Sequence, residues 1–157
     1  MLKVQWFMVK QIEYISTLSY YGTITPLSVA RYWLAATTVG DYALFGGGYD
    51  GSARSNVVDA YDTSLTRTTP SALSKARYGL AATTVGNYAL FGGGQTGTST
   101  YSKVVDAYDT SLTRTTPTAL SVARYGLAAT TVGNYALFGG GQTGSSTYSN
   151  AVDVYTA

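Results

Sequence analysis

A long internal repeat limits this chain more than anything else in its sequence. ARYWLAATTVGDYALFGGG spans residues 30–48, and ARYGLAATTVGNYALFGGG occupies residues 76–94 and again 123–141. Arg31, Arg77 and Arg124 mark one phase, so the period is 46 residues and then 47. The one-residue slip falls after the triple glycine, where YDGSARSN becomes QTGTSTYSK. Insertions are tolerated in surface loops, so the slip marks this stretch as a loop. YDTSLTRTTP also recurs, at residues 61–70 and 108–117. A unit that recurs at this spacing cannot bury its apolar face alone and must stack on its neighbours.

Each repeat reads as four strands. Leu80–Val85 (LAATTV) is built of small and β-branched residues, and Gly86-Asn87 is a two-residue turn. Tyr88–Phe91 is a continuous apolar run, the mark of a strand buried on both faces. Gly92–Ser102 reads as a loop, Lys103–Tyr108 as the third strand, and Leu112–Thr116 as a fourth before Pro117. No window sustains helical apolar spacing, so the expected fold class is all-β with almost no helix. Gly92 and Gly93 are expected to need close backbone contact or positive φ. Four antiparallel strands within a period of about 40–50 residues point to a propeller blade.

The paired glycines (Gly46-Gly47, Gly92-Gly93, Gly139-Gly140), followed by a loop and then Val58–Tyr61, Val105–Tyr108 or Val152–Tyr155, resemble the kelch motif. The Ala-Arg that opens each repeat matches it too. The resemblance runs from about Leu27 onward and implies kelch-like β-propeller blades, about three of them. It also implies that Tyr61, Tyr108 and Tyr155 pack between blades, and that a loop face binds partners. Thr68 and Thr115 stand where kelch repeats carry a Trp, which implies a more loosely packed fourth strand.

The repeats divide as 27–72, 73–119 and 120–157. Residues 13–27 (EYISTLSYYGTITPL) align without gaps on residues 106–120 (DAYDTSLTRTTPTAL), so residues 1–26 are expected to supply strands of a decayed blade. The last repeat stops after its third strand. Three blades fall short of the roughly four to eight of a ring. The chain must therefore leave an edge open, be a piece of something longer, or assemble with copies of itself. The phase offset leads to the expectation of a homodimer, two copies placed head to tail, with each N-terminal strand pairing with the other copy's last blade. The competing outcome is a fragment that stays open or aggregates.

Composition removes several function classes. Charged residues make up 11% of the chain, against about 25% in an ordinary soluble domain. The net charge is +2 with no basic cluster, which argues against nucleic acid as a partner. No apolar window approaches the roughly 20 residues of a membrane-spanning helix, and MLKVQWFMVKQIEY does not read as a signal sequence. The chain has neither Cys nor His, which excludes Ser-His-Asp and Cys-His triads and Cys- or His-based metal sites. The copper site of the kelch-like galactose oxidase fold needs both. No cofactor is expected. Asp59, Asp62, Asp106, Asp109 and Asp153 recur with the repeat, as turn and strand-end devices do, rather than as the facing carboxylates of a glycosidase. GGGQTG is followed by a strand, so its glycines read as packing residues and not as a phosphate loop.

What remains is a non-catalytic binding or scaffold module. The loop between strands two and three and the loop leading into strand one share a face. That face collects Arg31, Tyr32, Tyr49, Arg77, Tyr78, Gln95, Tyr101, Arg124, Tyr125, Gln142 and Tyr148. Aromatic residues and Arg dominate binding hot spots. The arginines have a second role open to them, pairing with a repeated Asp such as Asp106. The first partner expected is a protein. A glycan is the second, because Tyr faces stack on sugar rings. A structural role in a phage or cell-surface appendage is the third.

Overall fold

Ala-Ala-Thr-Thr-Val forms a strand in all three repeats, as its β-branched residues favour. A computed structural model describes residues 17–157; strands expected over residues 1–16 lie outside the described residues. In the first repeat β1 (Ala35–Val39) turns through Gly40-Asp41 into β2 (Tyr42–Gly46), with Val39 paired to Tyr42. β3 (Val58–Tyr61) and β4 (Arg67–Thr68) add outward, so the sheet has the order β1-β2-β3-β4, antiparallel throughout. The second repeat repeats this plan with β5 (Ala81–Val85) and β6 (Tyr88–Gly92), then the hairpin β7 (Gln95–Gly97) and β8 (Thr100–Tyr101). β9 (Val105–Tyr108) and β10 (Arg114–Thr115) complete it in the order β5-β6-β9-β10. The third repeat holds β11 (Ala128–Val132), β12 (Tyr135–Gly139), the hairpin β13 (Gln142–Gly144) and β14 (Thr147–Tyr148), and β15 (Val152–Thr156). Its sheet has three strands among the described residues, β11-β12-β15. No helix occurs among the described residues, so the fold is all-β, a row of small antiparallel sheets.

Three details depart from the sequence reading, each for a local reason. The fourth strand covers two residues instead of Leu112–Thr116. The Asp109 carboxylate accepts the N–H groups of Ser111 and Thr113, both at 2.9 Å, which extends the turn and holds Leu112 at φ 61. The loop Gly92–Ser102 contains the short hairpin β7–β8, held where Gln95 pairs with Tyr101. Residues 17–26 form no strand and are exposed, Leu18, Tyr20 and Tyr21 most of all.

The sheets stack through aromatic knobs and glycine gaps. Phe91 is fully buried against Gly46 of the preceding sheet, and Phe138 against Gly92. A Cβ on Gly46 would lie 2.8 Å from Phe91 Cε1, which no real side chain tolerates. Burying one such phenylalanine stabilises by about 1.5–3 kcal/mol. Gly93 meets both sequence expectations, with φ 73 and the Arg124 carbonyl 2.7 Å from where its Cβ would stand. Along the first strands, hydroxyls link neighbouring repeats: Thr37 Oγ1 to Thr84 Oγ1 at 2.7 Å, and Thr83 Oγ1 to Thr131 Oγ1 at 2.6 Å. One apolar core lies between the first and second sheets, around Leu44, Val58, Leu80 and Phe91. Another lies between the second and third, around Leu90, Val105, Leu127 and Phe138.

Candidate functional site

The chemistry-bearing residues of each repeat separate into a buried set and a displayed set. The arginines belong to the first. Arg31, Arg77 and Arg124 have fully buried side chains paired with Asp59 at 3.0 Å, Asp106 at 2.9 Å and Asp153 at 2.7 Å. Each guanidinium also donates to the carbonyl that precedes the glycine pair, Phe45 O, Phe91 O and Phe138 O. Asp106 accepts the backbone N–H and hydroxyl of Ser74 as well, so one carboxylate ties the third strand to the segment that crosses from the preceding repeat. Burial lowers the Arg77 pKa, with the Asp106 charge pulling the other way. The arginines therefore take the ion-pair role, and their side chains do not reach the candidate face.

The tyrosines make up the displayed set, and the structure brings them into one continuous strip. Tyr32, Tyr78 and Tyr125 each pair through the backbone with the post-glycine residue of their own repeat, Tyr49, Gln95 and Gln142. Tyr32 and Tyr49 meet edge to face at 5.7 Å, Tyr49 and Tyr78 at 5.8 Å, and Tyr78 and Tyr125 at 6.4 Å. Tyr101 stacks on Tyr125 of the next repeat, with centroids 5.1 Å apart and planes 9° apart. The Tyr78 hydroxyl and the Gln95 side-chain oxygen are 2.5 Å apart, and the Gln95 and Gln142 amides donate to the carbonyls of Gly97 and Gly144. Tyr148 is 76% exposed at the far end. Of the eleven sequence candidates, the eight Tyr and Gln residues lie on this strip and the three Arg side chains lie beneath it.

Two residues of the strip were not singled out in the sequence. Trp33 is 59% exposed and stacks on Tyr78 at 5.2 Å with an interplanar angle of 18°. It also meets Tyr32 edge to face. Its backbone lies at φ 54, the left-handed region, at the position that Gly79 and Gly126 occupy at φ 66 in the other repeats. A left-handed backbone costs an L-residue about 1–2 kcal/mol, and glycine escapes that cost. The signal was ARYW against ARYG. Arg54 is the other. Its guanidinium lies 5.5 Å from the centre of the Tyr78 ring, covering the next repeat's tyrosine as Tyr101 covers Tyr125. The loop slip hid this correspondence.

No three His, Cys, Asp or Glu side chains gather into a metal-holding group among the described residues. Asp62 and Asp109 are occupied by turn N–H groups. Asp50 likewise accepts from Ala53 and Ser52, bonds that hold its carboxyl below the ordinary range. Burial, then the Asp106 charge, pushes the Tyr108 hydroxyl up, and its proton is held by the Ser71 carbonyl at 2.7 Å.

No protein-family model and no curated protein matches the sequence. The fold is similar to a solved structure, that of YjhT, at a TM-score of 0.75 and 17% identity. The match covers 88% of this chain and 46% of that one, so the chain spans about half the length of YjhT. At that identity the likeness is one of fold.

Proposed function

We propose that the chain is a run of kelch-like propeller repeats serving as a non-catalytic binding module, and that its aromatic strip engages a protein partner. The glycine pairs, the Val-to-Tyr third strands and the side-by-side four-stranded sheets support the kelch-like propeller reading. The observation that carries the binding reading is Trp33. A large ring stands exposed on a strained backbone, in a place where the other repeats manage with glycine. The second and third repeats stack with no side chain at this place. Around it lie Tyr32, Tyr49, Tyr78 and Arg54, and Trp, Tyr and Arg are the residue types that dominate protein hot spots. The acidic residues favour a non-catalytic role. Asp59, Asp106 and Asp153 are held by arginines, and Asp62 and Asp109 by turns.

A random-peptide display library selected on the chain, and counter-selected on Trp33→Ala, tests this. Peptides that bind at micromolar affinity and lose at least tenfold on Trp33→Ala support it. If no peptide discriminates the two proteins while a glycan array does, the partner is a carbohydrate and the protein reading is wrong.

A further inference from the structure

The gaps beside the glycines of the first two repeats are filled from the repeat that follows. Phe91 fills the space at Gly46, and Phe138 the space at Gly92. Leu127 and the Arg124 carbonyl close on Gly93, Tyr125 lies 3.0 Å from a Cβ on Gly79, and Ala157 lies 3.2 Å from one on Gly86. The third repeat carries the same glycines with those places open among the described residues. A Cβ on Gly126 or Gly133 would meet nothing within 4 Å, one on Gly139 only Val152 at 3.5 Å, and one on Gly140 only the Ser149 carbonyl at 3.9 Å. Ala128, Leu137, Gly139 and Val152 line an apolar hollow there, and Val152 and Val154 are more than half exposed where their counterparts on β9 are buried.

Bonds between repeats follow the same rule. Gly48 N–H donates to the Arg77 carbonyl and Gly94 N–H to the Arg124 carbonyl, both at 2.9 Å. Gly79 N–H donates to the Trp33 carbonyl, and Gly126 N–H to the Gly79 carbonyl. Thr84 Oγ1 donates to the Thr38 carbonyl, and Thr131 Oγ1 to the Thr84 carbonyl. The phase mates that would continue each series beyond the third repeat stand on the first. They are Phe45, Leu34, Tyr32, the Arg31 carbonyl, the Trp33 N–H and the Thr38 hydroxyl. Phe45 is only half-buried, whereas Phe91 and Phe138 are fully buried.

We propose that the open face of the third repeat docks the first repeat of a second copy of this chain, Phe45 of one entering over Gly139 of the other, and that two copies do so reciprocally. The interface is one the chain already makes twice within itself, between the first and second repeats and between the second and third. The outer edge of β15 fits the same partner. β3 and β9 each carry a two-residue strand there, and Tyr21-Gly22 is in phase with Arg67-Thr68 and Arg114-Thr115. Tyr21-Gly22 lies exposed just ahead of Thr25, whose carbonyl takes the Tyr61 hydroxyl as Ser71 takes Tyr108 and Thr118 takes Tyr155. On the path of β10 it would pair with β15 of the other copy and cover an edge that otherwise invites aggregation. Tyr148 would then stack on the other copy's Tyr32, as Tyr101 stacks on Tyr125. Head-to-tail contacts end in a ring only when the rotation closes. The dimer rests on packing between repeats and not on the binding reading, so either stands if the other falls.

Light scattering on the full 157-residue chain at micromolar concentration tests it. The expected mass is that of two chains. Gly139→Trp should reduce it to one chain with an unchanged far-UV circular dichroism spectrum, because Gly139 is not at positive φ and a Cβ there would meet only Val152, at 3.5 Å, among the described residues. Val152→Lys, on the same hollow, should do the same without altering a glycine. A single-chain mass for the unaltered protein overturns the proposal. A mass above two chains, or a dimer that neither substitution dissociates, overturns it equally.

Discussion

Replacing Trp33 by glycine separates the cost of displaying a residue from the use made of it. Trp33 holds φ 54, and a left-handed backbone costs an L-residue about 1–2 kcal/mol, which glycine would recover. Against that gain, the substitution removes the stack on Tyr78, and an exposed aromatic pair returns a value near the low end of about 0.5–1.5 kcal/mol. It also gives the unfolded chain a freer residue, at about 0.4–1 kcal/mol. The terms cancel to within about 1 kcal/mol, so Trp33→Gly should leave the urea midpoint nearly unmoved. Peptides selected on the chain should nevertheless lose at least tenfold in affinity, measured by calorimetry on the same samples. Gly79 and Gly126 already show that the backbone accepts glycine at this place, at φ 66. A loss of stability above about 2 kcal/mol would refute the reasoning, for Trp33 would then be a clamp between repeats. Unchanged binding would remove the ring from the site.

Asp106→Ala leaves the Arg77 guanidinium buried without its counter-charge and should cost about 3–5 kcal/mol in urea unfolding, whereas Arg77→Met with Asp106→Leu should cost less than half as much; equal losses would show that the pair is not the source. Burial first, and the Asp153 charge second, push the Tyr155 hydroxyl from its ordinary 10 up to about 12. The fold favours the neutral phenol, so that stabilisation is complete below about pH 10 and lost as pH climbs through about 12, and Tyr155→Phe should flatten this alkaline limb. A limb identical in the two proteins would assign the loss elsewhere.

The strands were legible because their signal is local. Ala-Ala-Thr-Thr-Val and Tyr-Ala-Leu-Phe form strands wherever they occur, and the turns between them need only a glycine. The arginines were half legible: pairing with a repeated Asp such as Asp106 was one of two roles the sequence left open, and the choice depended on a carboxylate 29 residues away, on the third strand, and so on how the sheet folds back. The length of the fourth strand depended on one side chain, Asp109, reaching its own turn. The site was legible only in part, for a reason built into repeats. Positions that must pack between neighbours recur unchanged, as with Arg31, Arg77 and Arg124, with Phe45, Phe91 and Phe138, and with Asp59, Asp106 and Asp153. Three of the positions that differ lie together on the aromatic strip: Trp33 against Gly79 and Gly126, Tyr49 against Gln95 and Gln142, and Arg54 against Tyr101 and Tyr148. The strip is built from both kinds: Tyr32, Tyr78 and Tyr125 recur unchanged and carry it from repeat to repeat, and the residues that break the repeat give its first section a different chemistry.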